Sequence, residues 1–304
     1  VVAANGRLFV STREGRLYAF GAKGISSPTA YAKQAAPSKG AVEKVESIKN
    51  AAATTGGYCL VLGLNDGALA EALVKDFTVI AIDPDAEKVD ALRRRLHELG
   101  IYGSRISVQV GDPLTHSLPP FLASLITTET TERFAGESGA AAFQDIFYAL
   151  RPYGGTACLP VPKSSRSAWK KSAAGIKTAQ VDEHGEWLLL SRVGALPAAA
   201  DWSHAGGNAG NTGSSNDRYL RGPLGLLWYD GSIRWNRQPG KTEVRVAGGR
   251  IFVRADRMLA IDVFTGRRLW DRPLPQAAGS GAVGEFVAME DAVYVAAGRA
   301  CLAL

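Results

Sequence analysis

Seven residues in the first half of the chain have types and spacing suited to holding a nucleoside: Gly63, Leu64, Asn65, Gly67, Asp83, Asp112 and Pro113. Residues 58–67 read YCLVLGLNDG, two glycines set directly after an apolar run. Glycines there let the backbone turn sharply and let a ligand come close without a side chain in the way. Asp83 closes a second apolar run, VIAID, and Asp112 closes a third, ISVQVGD. A carboxylate at the end of the second run can accept both hydroxyl protons of a ribose. Leu64 and Pro113 can give apolar contact to the nucleoside. Strand-end aspartates are also common turn formers and helix caps, so Asp83 and Asp112 carry that second reading too.

These residues need elements to position them. Residues 41–53 have helical spacing, with Val42, Val45 and Ile48 on one face. A strand over 59–62 leads into the 63–67 loop and then into a helix through Leu69, Leu73 and Val74. A strand follows at 78–82. A charged helix at 86–99 carries Val89, Leu92, Leu96 and Leu99 on one face, and a third strand covers 106–110. A fourth strand is expected at 122–127, a helix at 142–150 and a strand at 156–160. A hairpin over 176–181 and 187–192 turns around Glu183, His184 and Gly185. Alternating strands and helices predict a doubly wound, mostly parallel sheet, with ligands at the carboxyl ends of the strands.

The flanking sequence has a different character. Residues 5–21, 249–262 and 291–304 each read as strand, tight turn, strand. The last two copies are offset by roughly 40 residues, a propeller-blade period. Residues 260–270, AIDVFTGRRLW, resemble the A-x-D-x-x-T-G-x-x-x-W repeat of pyrroloquinoline-quinone-type β-propellers. In such a turn Asp262 and Thr265 bond the backbone, Gly266 takes a positive φ, and Trp270 docks as an apolar wedge. Residues 201–228, with Asn211, Thr212 and Gly213, resemble the opening of such propellers. The resemblance does not by itself imply quinone. About two blades are present, and a cofactor site needs a closed ring, so quinone binding is not expected.

The α/β part resembles class I S-adenosylmethionine-dependent methyltransferases over residues 57–194, including their final antiparallel strand. The resemblance implies S-adenosylmethionine as ligand. Gly63 and Gly67 would lie along its methionine part, Asp83 on its ribose and Asp112 on its adenine amino group. A nicotinamide dinucleotide is the competing ligand, but the loop is G-L-N-D-G rather than G-x-G-x-x-G. Two positions depart from the family pattern. Val61 stands where the first strand usually carries an acid, and Asn65 replaces the middle glycine. Losing that acid removes a charge-assisted contact of about 1.5–3 kcal/mol to the amino end of the cofactor. Glu129, just past the fourth strand, lies where the family places residues that contact the methyl acceptor. A solvated loop carboxylate is the other reading for it.

Composition bounds the remainder. The chain has 304 residues, 46% hydrophobic and 21% charged, as a globular protein of about two domains would. The net charge of +6 is scattered rather than blocked, which indicates no nucleic-acid partner. No apolar run reaches the roughly 18–20 residues of a membrane span. Cys59, Cys158 and Cys301 and the four histidines have no metal-ligand spacing, and no metal site is expected. The sequence starts at Val1, inside an apparent strand, and is read as a fragment, which leaves any targeting segment open.

The expected organisation is a partial blade at 1–24, a linker and leading helix at 25–56, a methyltransferase-like Rossmann-type domain at 57–196, and incomplete blades at 197–304. Three functions follow. One is a methyltransferase on a propeller scaffold, acceptor unknown. The second is a non-catalytic binding or scaffold propeller, docking a protein partner, with a degenerate methyltransferase-like insert. The third is a quinone-dependent dehydrogenase, for which no calcium or quinone site is visible. The propeller resemblance suggests an exported or periplasmic protein, while the methyl donor suggests the cytoplasm.

Overall fold

The computed structural model describes residues 1–12, 16–21, 39–229, 243–254, 257–274, 286–297 and 299–304. The chain divides into a unit of Val1–Ala35 and a unit of Ala36–Leu304. In the first unit, β1 (Val2–Ala4), β2 (Arg7–Ser11) and β3 (Leu17–Gly21) form an antiparallel meander. Asn5 and Gly6 make its first turn with φ of 50° and 68°.

The second unit opens on α1 (Lys39–Ala52), then β4 (Gly57–Leu62), α2 (Ala68–Leu73), β5 (Phe77–Asp83), α3 (Ala86–Glu98) and β6 (Ile106–Val110). It continues through β7 (Ala123–Thr127), α4 (Gly136–Ala141), α5 (Phe143–Ala149), β8 (Gly155–Leu159), α6 (Arg166–Ala173), β9 (Ala179–His184) and β10 (Trp187–Arg192). These strands make one seven-stranded sheet in the order β6-β5-β4-β7-β8-β10-β9. The first five are parallel, and β10 runs antiparallel to both of its neighbours. The order reverses between β4 and β7, which makes that gap the topological switch point.

The sheet is buried on both faces, as parallel strands require. Successive residues of β4 alternate between two cores. Cys59 and Val61 join Val45, Ile48, Leu73, Val89 and Leu92 on one side. Leu60 and Leu62 join Phe134, Phe143, Ile146 and Trp169 on the other. Burial pushes the Cys59 thiol far up and that of Cys158 up to about 12, so both are packing residues.

Several expectations shift. Val45 and Ile48 of α1 are buried, but Val42 is 47% exposed and does not share their environment. The single helix expected at 142–150 is two, because α4 and α5 meet at Ala142. The terminal hairpin turns at Gly185 and Glu186, with His184 still paired to Trp187.

The rest of the unit is β-rich. It comprises β11 (Glu243–Ala247), β12 (Arg250–Arg254), β13 (Arg257–Asp262), β14 (Arg268–Pro273), β15 (Phe286–Ala288), β16 (Val293–Ala297) and β17 (Ala300–Ala303). A four-stranded and a three-stranded antiparallel sheet result, sharing a core of Phe252, Met258, Phe286, Val293 and Val295. The three strand–turn–strand segments read from the sequence are hairpins β2–β3, β12–β13 and β16–β17. The turn after β13 follows the repeat chemistry: Asp262 accepts from Phe264 N and Thr265 N at 3.0 Å each, and Gly266 takes a φ of 69°. Trp270 packs on Phe252 within that core, ring centroids 5.9 Å apart. The described residues do not close these sheets into a ring, so the propeller itself is not formed by them.

One ion pair fastens the β-rich part to the α/β part. The second oxygen of Asp262, itself 1% exposed, takes the Nε of Arg151 from the turn after α5. Phe264 stands edge-on to Phe121 at 5.7 Å, and Arg192 lies 4.8 Å over both Phe121 and Phe147. Removing one partner of a buried pair strands the other charge. Asp262→Ala is expected to cost about 3–5 kcal/mol in urea denaturation. The Arg151→Ala/Asp262→Ala double variant should cost clearly less than the two single losses added together.

Candidate active site at the sheet switch point

At the switch point the chain leaves β4 through Gly63, with a φ of 97°, and enters α2 through Gly67, with a φ of 77°. Neither position tolerates a side chain. A Cβ on Gly63 would lie 2.3 Å from Thr130 Oγ1, and one on Gly67 would lie 2.6 Å from Leu92. The faces that glycine leaves open are therefore filled by this chain's own side chains. Leu64 is wholly buried, while Asn65 and Asp66 are exposed.

The loop and the first turn of α2 present backbone N–H groups that have no helical partner. A single carboxylate takes four of them. Glu129 Oε2 accepts from Asn65 N at 2.7 Å and Gly67 N at 2.9 Å. Its Oε1 accepts from Leu69 N at 2.9 Å and Ala70 N at 3.1 Å. The positive end of the helix favours an anion at this place. Glu129 is held by its own N–H, which donates to Gly63 O at 3.1 Å, and by the short Thr128–Thr130 turn beside it. It is thus not a freely solvated loop acid. It caps the helix and fastens the loop from across the sheet.

Asp83 lies beneath the same loop and is 1% exposed. Its Oδ2 accepts from Leu64 N at 2.7 Å and its Oδ1 from Asp85 N at 3.0 Å. Lys88 Nζ stands 3.4 Å from Oδ1 and donates to Leu64 O at 2.8 Å. The capping role belongs to Asp85, which accepts from Glu87 N and Lys88 N at the start of α3. Asp112 is exposed and accepts from Leu114 N at 2.8 Å, with Pro113 buried behind it. Its carbonyl takes Thr115 N and His116 N, which makes it a turn former. One acid of the pair is thus inside the fold and the other on its surface.

Sequence reasoning missed Thr130, Lys88 and Arg151. Thr130 and Lys88 act through contacts between distant elements, which no local pattern encodes. Arg151 carried a weak signal, as a cation after an apolar helix. Among the described residues no cluster of His, Cys, Asp and Glu is placed to hold a metal, and no helix is long and apolar enough to cross a membrane.

The residues can be tested against S-adenosylmethionine. Its methionine part needs the loop backbone, which Glu129 and Thr130 already occupy. Its ribose needs an accessible carboxylate, which buried Asp83 does not offer. A dinucleotide pyrophosphate would need the same loop amides. As arranged, the residues do not fit either group.

Neither a family profile nor a curated protein matches the chain. Solved structures do resemble it. One is described as an S-adenosyl-L-methionine-dependent methyltransferase from Methanococcus maripaludis, 19% identical, covering 51% of this chain and 85% of that one, with a TM-score of 0.40. A methyltransferase from Geobacter sulfurreducens is also 19% identical, over 52% of this chain and 90% of its own, with a TM-score of 0.38. A TehB-like SAM-dependent methyltransferase from Corynebacterium glutamicum is 17% identical, over 50% and 85%, with a TM-score of 0.36. The seven-stranded sheet, with its single reversal and its antiparallel β10, is a doubly wound, mostly parallel α/β sheet of Rossmann-like order, and it occupies about half the chain.

The loop chemistry makes a sharp prediction. Glu129→Ala leaves four donors, three of them partly buried, without a partner and should cost about 2–4 kcal/mol in urea denaturation. Glu129→Gln is expected to cost nearly as much, because its amide nitrogen would face two N–H groups that it cannot accept from. A Gln variant as stable as the parent would rule out the four-donor arrangement.

Proposed function

We propose that the α/β part is a methyltransferase-type domain whose nucleoside crevice is filled by its own side chains. It serves the chain as a non-catalytic binding and scaffold element. The observation that carries this reading is the Glu129 carboxylate seated on the amides of Asn65, Gly67, Leu69 and Ala70. An internal anion there competes with any ligand at effectively saturating concentration, since it is tethered to the same sheet. The saturated, buried Asp83 supports the same reading. The β11–β14 and β15–β17 sheets then act as propeller-type blades that dock a protein partner, a role supported by the Asp262 turn.

A second reading is a methyltransferase for an unidentified acceptor, and one observation favours it. Glu129 brings to the loop the acid that Val61 withholds, and it is only partly buried. Its partly exposed negative charge can attract the ammonium group of an amino-acid moiety. The methyl donor would be S-adenosylmethionine, admitted only if the loop opens to free Asp83.

Titration calorimetry with S-adenosylhomocysteine on the full chain separates the two. The scaffold reading expects no saturable heat up to about 1 mM ligand. Saturable binding in the micromolar range, lost in Asp83→Ala, would replace it with the second reading.

A further inference from the structure

A groove of about 530 Å³, lined by none of the loop or strand-end residues above, lies between the 196–220 segment and the sheet of β11–β13. Four aromatic residues line it, Tyr153, Trp202, Tyr219 and Phe264, together with Asp201 and Asp217. Among the described residues lining it there is no lysine, arginine or histidine, although the chain as a whole carries a net charge of +6. A concave site with aromatic walls and convergent polar groups is the usual form of a small-molecule site. This one belongs to neither the loop nor the switch point.

The groove is built into the fold. Trp202 exchanges both backbone hydrogen bonds with Val246 at 2.9 Å, which adds its segment to the edge of the four-stranded sheet. Ser203 O accepts from Ala288 N and ties the same segment to β15. Asp217 joins the two walls. Its carboxylate accepts from Ala200 N on one wall, and from Tyr219 N and Leu220 N on the other. Those bonds, the one from Leu220 foremost, hold its carboxyl below the usual aspartate range. At the floor, Gly249 has a φ of 72°, and a Cβ there would strike the Tyr153 ring at 2.7 Å and the Phe264 ring at 3.3 Å. Those two rings are thus seated on bare backbone, in fixed positions.

Asp201 differs from Asp217. Asp201 is exposed, yet partial desolvation against the groove raises its pKa, the Gly248 N–H opposes that rise, and the negative charge of Glu290 adds to it. Among the described residues no cation opposes this rise at Asp201, although Arg151 and Arg250 act on the neighbouring Tyr153. A carboxylate in that position gains from a positive charge brought by a ligand. Aromatic faces gain from the same charge, more so for a weakly hydrated ammonium than for a small metal ion. Phe264, the residue two positions after Asp262 in the repeat turn, is thereby turned from a packing residue into part of a wall.

The geometry points to a binding site for an organic ammonium ion in this groove, with the cation between Asp201 and the rings of Tyr153, Trp202, Tyr219 and Phe264. The inference is independent of whether the α/β part binds a nucleoside.

Choline is the probe, and neohexyl alcohol, its uncharged carbon isostere, is the control. Calorimetry and ligand-observed NMR on the full chain should give saturable choline binding at about 1 mM or tighter. The isostere should bind at least about tenfold more weakly. Asp201→Asn keeps the shape of an exposed side chain and should weaken choline about tenfold. Tyr219→Leu should weaken it severalfold through the lost ring face. Three results would overturn the inference: no saturable choline signal up to about 10 mM, equal affinity for the isostere, or unchanged choline affinity in both variants.

Discussion

Backbone N–H groups at the end of β4 and the start of α2 must be paired, and the whole upper edge of the α/β part is arranged around that need. A parallel sheet delivers its first loop to the switch point with donors pointing outward. Leaving them unpaired costs about 1–3 kcal/mol for each buried group. Two carboxylates meet the requirement from opposite sides. Asp83 takes Leu64 N from beneath, and Glu129 takes four more from across the gap between β4 and β7. The glycines follow from the same constraint. Gly63 and Gly67 exist to let Thr130 and Leu92 close in, so the loop is gripped on every side.

Val61 belongs to this arrangement. It is wholly buried among Leu73, Val89 and Leu92, on the α2–α3 face of the sheet. An ionised acid packed in that apolar cluster would carry a heavy desolvation cost unless it reached the loop. The chain instead places its acid on the neighbouring strand's exit, where it approaches the same amides with its carboxylate partly in solvent. Val61 keeps the interior of the sheet apolar, while Glu129 supplies the carboxylate that the loop amides need.

Much of the fold was legible because it rests on periodicity. The β4 run and the α3 face at Val89, Leu92 and Leu96 were readable from spacing alone, and so was the repeat turn at Asp262. The candidate site was legible only as a set of positions. Gly63, Gly67, Asp83 and Asp112 do cap the ends of β4, β5 and β6. What Asp83 and the 63–67 loop face depends on residues 19 to 64 positions away, as in Leu64–Asp83 and Asn65–Glu129, whereas Asp112 is engaged by its own neighbours. Side-chain orientation at a loop is decided by which donors are left over once the sheet has formed, and composition does not record that. Asp112 shows the limit plainly. Its place at a strand end fits a ligand contact and a turn equally well, and the bond from Leu114 N shows the turn while engaging one of its two oxygens.

The β-rich part applies the same physics to another end. Asp262 is buried like Asp83 and saturated like Asp83, with two amides on one oxygen and a partner from a distant element on the other. For Asp83 that distant group is the loop amide of Leu64, which fastens the loop at the switch point. For Asp262 it is Arg151, which carries the turn after α5 and thereby Tyr153 next to it. The position of Tyr153 against Gly249 follows from that pair, and Tyr153 is one wall of the aromatic groove. A buried aspartate at the end of a strand thus has two uses in this chain. At Asp83 it draws a loop onto the sheet, and at Asp262 it holds the turn after α5 alongside the β-rich part.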